Sequence, residues 1–336
     1  MIIHLPLPRI ARNRSPRVSY SPARIMLCIA VLGAWAAPVH ASIHYVTNTD
    51  LRLQDVIDTS GPSDTIVLTS GIYRVAGREY NGSNVFVLDR GITLTSMSPL
   101  PGEQAVIDGQ GLIRCATILN GTVMGVTFIN GFVNGQGGGV WCENAGMLDR
   151  CIIRNCYADA LAGGAFVKGT LRSCLIVSNT AGSSGGAGIV IPETGLVYNC
   201  TIADNSTIGH GGGVVAAGGL IANSIIVSNA SSYYPVFSDW FTNDLGGTFS
   251  HCCTTPEAPG PENIVADPLF LTGYLINQSS PCFTQGVVYG WMAGAYDLAG
   301  APRTEGAGPD LGAFEAIPEP ALVLPLLAVL WRRART

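Results

Sequence analysis

Four side chains of this sequence belong to the types that cleave polysaccharides: Arg154, Lys168, Asp204 and His210. Hydrolysis of a glycosidic bond needs two carboxylates within ~10 Å, one as acid and one as base or nucleophile. Elimination needs a base, and a cation such as Ca²⁺ to neutralise the uronate. Counting from the glycine clusters of the repeat below places Lys168, the single lysine, over Cys142 and beside Glu143 of the preceding unit. An ion pair is the default for that juxtaposition. The same counting puts Arg154 and Asp204 on one outward row, two units or ~10 Å apart, with Ser178 between them. Asp159 and His210 pair in a similar way beyond the next corner. A different chemistry comes from Tyr233-Tyr234-Pro235-Val236-Phe237-Ser238-Asp239-Trp240-Phe241, which concentrates planar rings. Tyr233, Tyr234, Trp240 and Phe241 are the candidates for stacking on sugar faces; the same run also reads as a flap over the fold.

The elements that carry these residues form a repeat. Asn130, Asn155, Asn179, Asn205 and Asn229 follow at intervals of 25, 24, 26 and 24 residues, each closing a short apolar strand. Glycine clusters follow each of the first four, as at Gly137-Gly138-Gly139 and Gly211-Gly212-Gly213. A unit of about 25 residues with two or three short strands is one coil of a β-solenoid. Alternation turns Phe128, Ile153, Ile176, Ile202 and Ile226 inward as one ladder, and Val126, Cys151, Cys174, Cys200 and Ser224 as a second. The five asparagines are expected to stack at a strand corner, where Asn tolerates left-handed backbone. A short helix near Leu51–Ile57 is expected to cap the open end.

This pattern resembles the right-handed parallel β-helix proteins of the pectin lyase-like type. Residues 251–316 are similar to the choice-of-anchor Q domain, through Asp267-Pro268-Leu269-Phe270, Ser280-Pro281-Cys282, Asp297-Leu298-Ala299-Gly300-Ala301-Pro302-Arg303 and Asp310-Leu311-Gly312-Ala313-Phe314-Glu315. Residues 317–336 resemble a PEP-CTERM sorting signal: Pro318-Glu319-Pro320, an apolar run, then Arg332-Arg333-Ala334-Arg335. That resemblance implies transient attachment to the inner membrane of a Gram-negative bacterium and removal by an exosortase-type enzyme. Gly209-His210-Gly211 and Asn48-Thr49-Asp50 are similar to polygalacturonase elements. About six coils, or ~30 Å, separate them, too far for one bond.

Residues 1–41 read as a secretory signal, with arginines before the apolar run Ile25–Ala37 and cleavage after Ala41. Residues 42–250 are then the β-helix with its N-terminal cap, and 251–316 its C-terminal cap region. Between residues 42 and 316 ten cations stand against 22 acids, a net charge of −12. Such a surface repels nucleic acid and anionic lipid. Cys253 and Cys282 are the disulfide candidates, because export permits oxidation; Cys151, Cys174 and Cys200 read as buried packing residues. Three histidines beyond residue 41 (His44, His210, His251) and no Cys/His spacing argue against a metal site. The expected protein is an all-β, exported, monomeric surface or matrix solenoid of ~25 residues per coil, without a cofactor, whose lateral face binds glycan or protein. The alternative is a polysaccharide lyase or glycoside hydrolase, Ca²⁺ belonging to the lyase case.

Overall fold

A three- or four-residue apolar run cannot bury its inner face alone, so each run here is stable only when stacked on the next. The computed structural model describes residues 41–49, 53–242, 246–304 and 308–318, and in them the chain forms a parallel β-solenoid. Among the described residues the strands fall into sheets of 15, 8 and 5 members. The broad sheet begins at Ile43–Val46 and includes Arg114–Met124, Val140–Asp149, Ala165–Val167, Ile189–Ile191, Val214–Ala216 and Trp240–Thr242. The second sheet runs from Ile72–Tyr73 through Val126–Ile129, Ile152–Arg154, Leu175–Val177, Thr201–Ala203 and Ile225–Val227 to Cys253–Thr254. The narrow third sheet is made of two-residue strands, from Phe132–Val133 through Tyr157–Ala158, Thr180–Ala181 and Ser206–Thr207 to Ala230–Ser231.

Register in the second sheet follows the apolar ladder. Ile107, Phe128, Ile153, Ile176, Ile202 and Ile226 are successive Cα partners with no solvent exposure. Cys151, Cys174, Cys200 and Ser224 occupy a second buried row, joined coil to coil by backbone hydrogen bonds, with Cys252 on the next rung. Burial pushes the Cys142 and Cys252 thiols up to about 12, so both stay neutral and act as small packing groups.

The asparagines do not all share one row. Asn179, Asn205 and Asn229 are buried, and each Nδ2 donates to the next acceptor: Asn205 Oδ1 at 3.0 Å, Asn229 Oδ1 at 2.9 Å and Asp239 Oδ1 at 3.0 Å. Asn130 and Asn155 lie one position earlier, in the left-handed corner row with Ser178, Asp204 and Ser228, all at φ between 52° and 60°. The rung below Asn179 is Cys156, whose backbone N–H donates to Asn179 Oδ1 at 3.0 Å. The interval counted from Asn155 to Asn179 is one residue longer than the true coil, since Ile153 pairs with Ile176. Glycine is required where the next corner tucks under the narrow sheet. A Cβ at Gly138 or Gly163 would lie 2.1 Å from the carbonyl oxygen of Tyr157 or Thr180.

Both ends of the coil stack are dressed. The helix α1 (Leu53–Thr59) buries Leu53 and Ile57, and the Gln54 amide serves as a substitute strand neighbour for Val87. It accepts from the Val87 N–H at 2.8 Å and donates to the Val87 carbonyl at 3.1 Å. Beyond Thr254 the chain turns back as a strap along the outer face of the second sheet, rather than sitting only on the end. Leu275, Leu298, Ala313 and Phe314 cover Ile152, Leu175, Val177 and Ala203, while Ile276, Cys282 and Leu311 cover Ile225, Val227 and Cys253. The signal segment up to residue 40 and the sorting tail from residue 319 lie outside the described residues.

Candidate functional site

The four candidate acid–base residues are dispersed over the fold. Arg154 pairs in register with Val177 and Ala203 of the second sheet, whereas Asp204 stands one position later, on the left-handed corner. Their shared row was an artefact of the asparagine count, and Asn155 is the corner residue that belongs with Asp204. The strap also occupies Asp204, whose Oδ2 accepts from the Tyr274 hydroxyl at 2.5 Å. Burial and that carboxylate push the Tyr274 hydroxyl up. Lys168 lies beyond the Val167–Cys142 pair and meets Glu143 at 3.8 Å, a half-exposed ion pair that also holds the Trp141 indole N–H at 2.8 Å.

His210 has a different setting from the one its glycine neighbours suggest. Its ring stacks on Tyr234 at 4.5 Å and 22° and meets Phe241 at 4.4 Å; Tyr233 contacts it edge-on at 5.5 Å. Imidazole Nδ1 is enclosed and has no hydrogen-bond partner among the described residues. Strand pairing positions the cluster: Phe241 is the Cα partner of Val215, and His210 lies on the glycine corner just before Val214–Ala216. Tyr233 and Tyr234 arrive from the segment after the narrow sheet, and remain 66% and 42% exposed. These rings therefore form a rigid, half-open platform at a corner of the solenoid. Rings of this kind bind the apolar face of a sugar with little entropic cost.

Trp240 is not part of that platform. Alternation along Trp240–Thr242 turns it inward as the partner of Val214, where it packs on Phe249 at 5.6 Å and donates to the Pro256 carbonyl at 2.8 Å. The rings beside it on the same strand thus have opposite fates, set by the period of two. Sequence reasoning missed the outward row Trp141–Phe166–Val190–Val215–Phe241, which begins with a Trp141–Phe166 stack at 4.4 Å. The signal was available for the first four, since Trp141, Phe166, Val190 and Val215 each follow a glycine cluster at a similar offset, whereas no glycine precedes Phe241 on its coil. It also missed Phe132 and Tyr157, stacked at 5.7 Å and 9° on neighbouring coils.

Asp297, Arg303, Asp310 and Glu315 converge under the strap. Arg303 has no solvent exposure, pairs with Glu315 Oε1 at 2.8 Å and donates to Ser173 Oγ at 3.0 Å. Asp297 is held by the backbone N–H groups of Ala301 and Glu315, and Asp310 by those of Thr284 and Ala316. The buried cation therefore pairs with the glutamate, and the aspartates cap turns. Burial raises all three carboxyls, Glu315 to about 7, against the lowering pull of Arg303. Cys253 and Cys282 are both reduced and lie in hydrogen-bond contact, the first on the last rung of the second sheet and the second on the strap. Among the described residues no three His, Cys, Asp or Glu side chains gather as a metal-binding group.

These features define an all-β parallel solenoid with one strapped flank and one open flank. No protein family and no curated protein matches the sequence. Among solved structures, the crystal structure of the pectate lyase Pel9A aligns with 83% of this chain and 98% of its own, at 11% identity and a TM-score of 0.44. The fold stands on the strand pairing of the chain itself.

Proposed function

We propose that this protein is exported to the surface or matrix of a Gram-negative bacterium and there binds glycan, without cleaving it, through its lateral face. The observation that carries this reading is the half-open platform of His210, Tyr233, Tyr234 and Phe241 on a rigid corner. Its support is chemical: stacked rings of which Tyr233 and Tyr234 stay 66% and 42% exposed suit the apolar face of a sugar. The distribution of Arg154, Lys168, Asp204 and His210 over separate rows and corners supports binding over bond cleavage. The destination rests on the signal-like N-terminus and the PEP-CTERM-like tail, which on this reading is handed to an exosortase-type enzyme after transient inner-membrane attachment. Residues 251–316 would then be the anchor-type unit, the protein a monomer, and neither nucleic acid nor a resident cofactor a partner.

The test is incubation with a polysaccharide panel, with and without Ca²⁺, following both retardation and new reducing or unsaturated ends. Retention without products is expected. Products above background would replace this reading with the lyase or hydrolase one. In the exported protein, Cys253 and Cys282 are proposed to oxidise and tie the strap to the last rung. Thiol titration under denaturation should then find seven free thiols instead of the nine present when reduced. A count of nine in secreted material would dismiss the bridge.

A further inference from the structure

The slip in the asparagine row has a consequence for binding. Asn179, Asn205 and Asn229 spend their amides inside the ladder, whereas Asn155 is carried onto the exposed corner. Neither the Asn155 amide nor the Tyr157 hydroxyl hydrogen-bonds to any described residue. Both border an open hollow of about 360 Å³, whose lining also includes Gln110, Asn130 and the Phe132 ring stacked on Tyr157. Its mouth is clear at Gly111, where a Cβ would meet nothing within 4 Å. No cation or carboxylate lines it. The adjacent Arg74 is committed to Asp108 at 2.9 Å.

We infer that this hollow is a second glycan subsite, selective for a neutral sugar, with the Phe132–Tyr157 stack under the ring, the Asn155 amide on its hydroxyls and the Gln110 amide oxygen as a further acceptor. The Gln110 Nε2 is held by the Arg74 carbonyl at 3.0 Å. The inference rests on the glycan-binding reading of the His210 platform and extends it. Tyr157 and His210 lie on the same flank two coils apart, roughly 10 Å along the axis, and Tyr234 lies one coil further. Between them the narrow sheet presents the exposed side chains of Thr180 and Ser206. One chain of several sugars, lying parallel to the solenoid axis, spans both sites. Uncharged amides fix hydroxyls without attracting a carboxylate, so a polyuronate gains nothing here and is repelled by the net acidic surface.

The purified protein is run through native gels containing hydroxyethylcellulose, xyloglucan, galactomannan or polygalacturonate, alongside the variants Tyr157→Ala, Asn155→Asp and Tyr234→Ala. Asp is used at 155 because it tolerates the left-handed backbone that alanine would strain. Retardation by at least one neutral polysaccharide is expected. Tyr157→Ala and Tyr234→Ala should each weaken it about tenfold, the size expected for losing one aromatic contact. Asn155→Asp should weaken it less, and all variants should keep the parental melting temperature. If Tyr234→Ala abolishes retardation while Tyr157→Ala and Asn155→Asp leave it unchanged, the second subsite is wrong and the platform stands. Retardation by polygalacturonate alone overturns the neutral selectivity. Retardation by none overturns the glycan reading and this extension with it.

Discussion

The two flanks of the solenoid use the same kinds of residue for opposite ends. On the strapped flank, most buried polar and charged groups are hydrogen-bonded: Arg303 on Glu315 and Ser173, Asn199 on the Asp310 carbonyl, Asn223 on the Val287 carbonyl. Arg172 Nε and Trp291 Nε1 are exceptions, the guanidinium lying 4.8 Å over the indole. On the open flank, tyrosine hydroxyls and amides stand in solvent without hydrogen-bond partners among the described residues, as at Tyr157, Asn155 and Tyr233. A buried unpaired polar group costs about 1–3 kcal/mol, so partners are strongly favoured under the strap and dispensable outside it. Residue type alone therefore says little about role in this fold, and the flank decides. Asp204 illustrates this, since an exposed corner carboxylate that would suit catalysis is instead held by Tyr274 of the strap.

The largest effect that tests this division is expected at Arg303. Truncation in Arg303→Ala removes the charged partner of Glu315 and the donor to Ser173. Breaking a buried pair from one side typically costs 3–5 kcal/mol, whereas an apolar residue of similar volume is often tolerated. Urea unfolding should show a loss of that order for Arg303→Ala and a much smaller one for Arg303→Met. Retardation by glycan, read on the same samples under native conditions, should not change. A simultaneous loss of binding would show that the open flank depends on the strapped one, and the division would fail.

A smaller effect separates the two kinds of asparagine. Asn205→Ala leaves the Asn179 N–H without its acceptor, leaves the Asn179 amide only the Ile153 carbonyl, and takes from Asn229 Oδ1 the amide donor but not the backbone N–H of residue 205, all in the interior. About 2 kcal/mol of stability should be lost. Asn155→Asp, at the exposed corner, should stay within ~0.5 kcal/mol of the parent. Equal losses at the two positions would restore the single five-member ladder that the repeat suggested.

That comparison marks where the sequence is legible and where it is not. The period of the apolar residues locates the inward ladder from Phe128 to Ile226 residue by residue, because burial punishes any slip in an alternating strand. Asparagine carries no such penalty: it suits the left-handed corner at 155 and the buried rung at 179 equally, so spacing alone merges the two rows. The second left-handed corner, Arg150, Ser173, Asn199, Asn223 and His251 at φ 48° to 53°, leaves even less trace, its residue types having no common chemistry. The strap escapes for a related reason. Residues that fold back along a flank answer to the outward side chains of earlier coils, Leu175 and Val177 among them, and show no period of their own. The His210 platform was half legible, as a cluster of rings whose members could be named but whose facing could not. Strand alternation decides between Trp240 and Phe241, and it needs the start of the strand, which the sequence leaves open.

The smallest expected effect is a slope of stability with pH, and its sign follows from which carboxyls are buried. Desolvation raises Asp149 and Asp239 to about 6 and Glu315 to about 7. Each lies above its unfolded value near 4, so between these limits the folded chain keeps protons that the unfolded chain has lost. Their contribution is complete below about pH 4 and declines as the pH rises through 6 and 7. Asp64 works in the opposite direction: the backbone N–H of Ser42, then that of Gly61, lower it, and what it contributes is lost only as the pH falls below its unfolded value. The melting temperature should accordingly be higher at pH 5 than at pH 8. Glu315 is fastened to the strap, so Glu315→Gln should flatten part of that slope, while Tyr234→Ala on the open flank should leave it unaltered. A melting temperature that rises from pH 5 to pH 8 would mean that these carboxyls are better solvated than the strapped flank implies, and the contrast between the flanks would weaken where it is most specific.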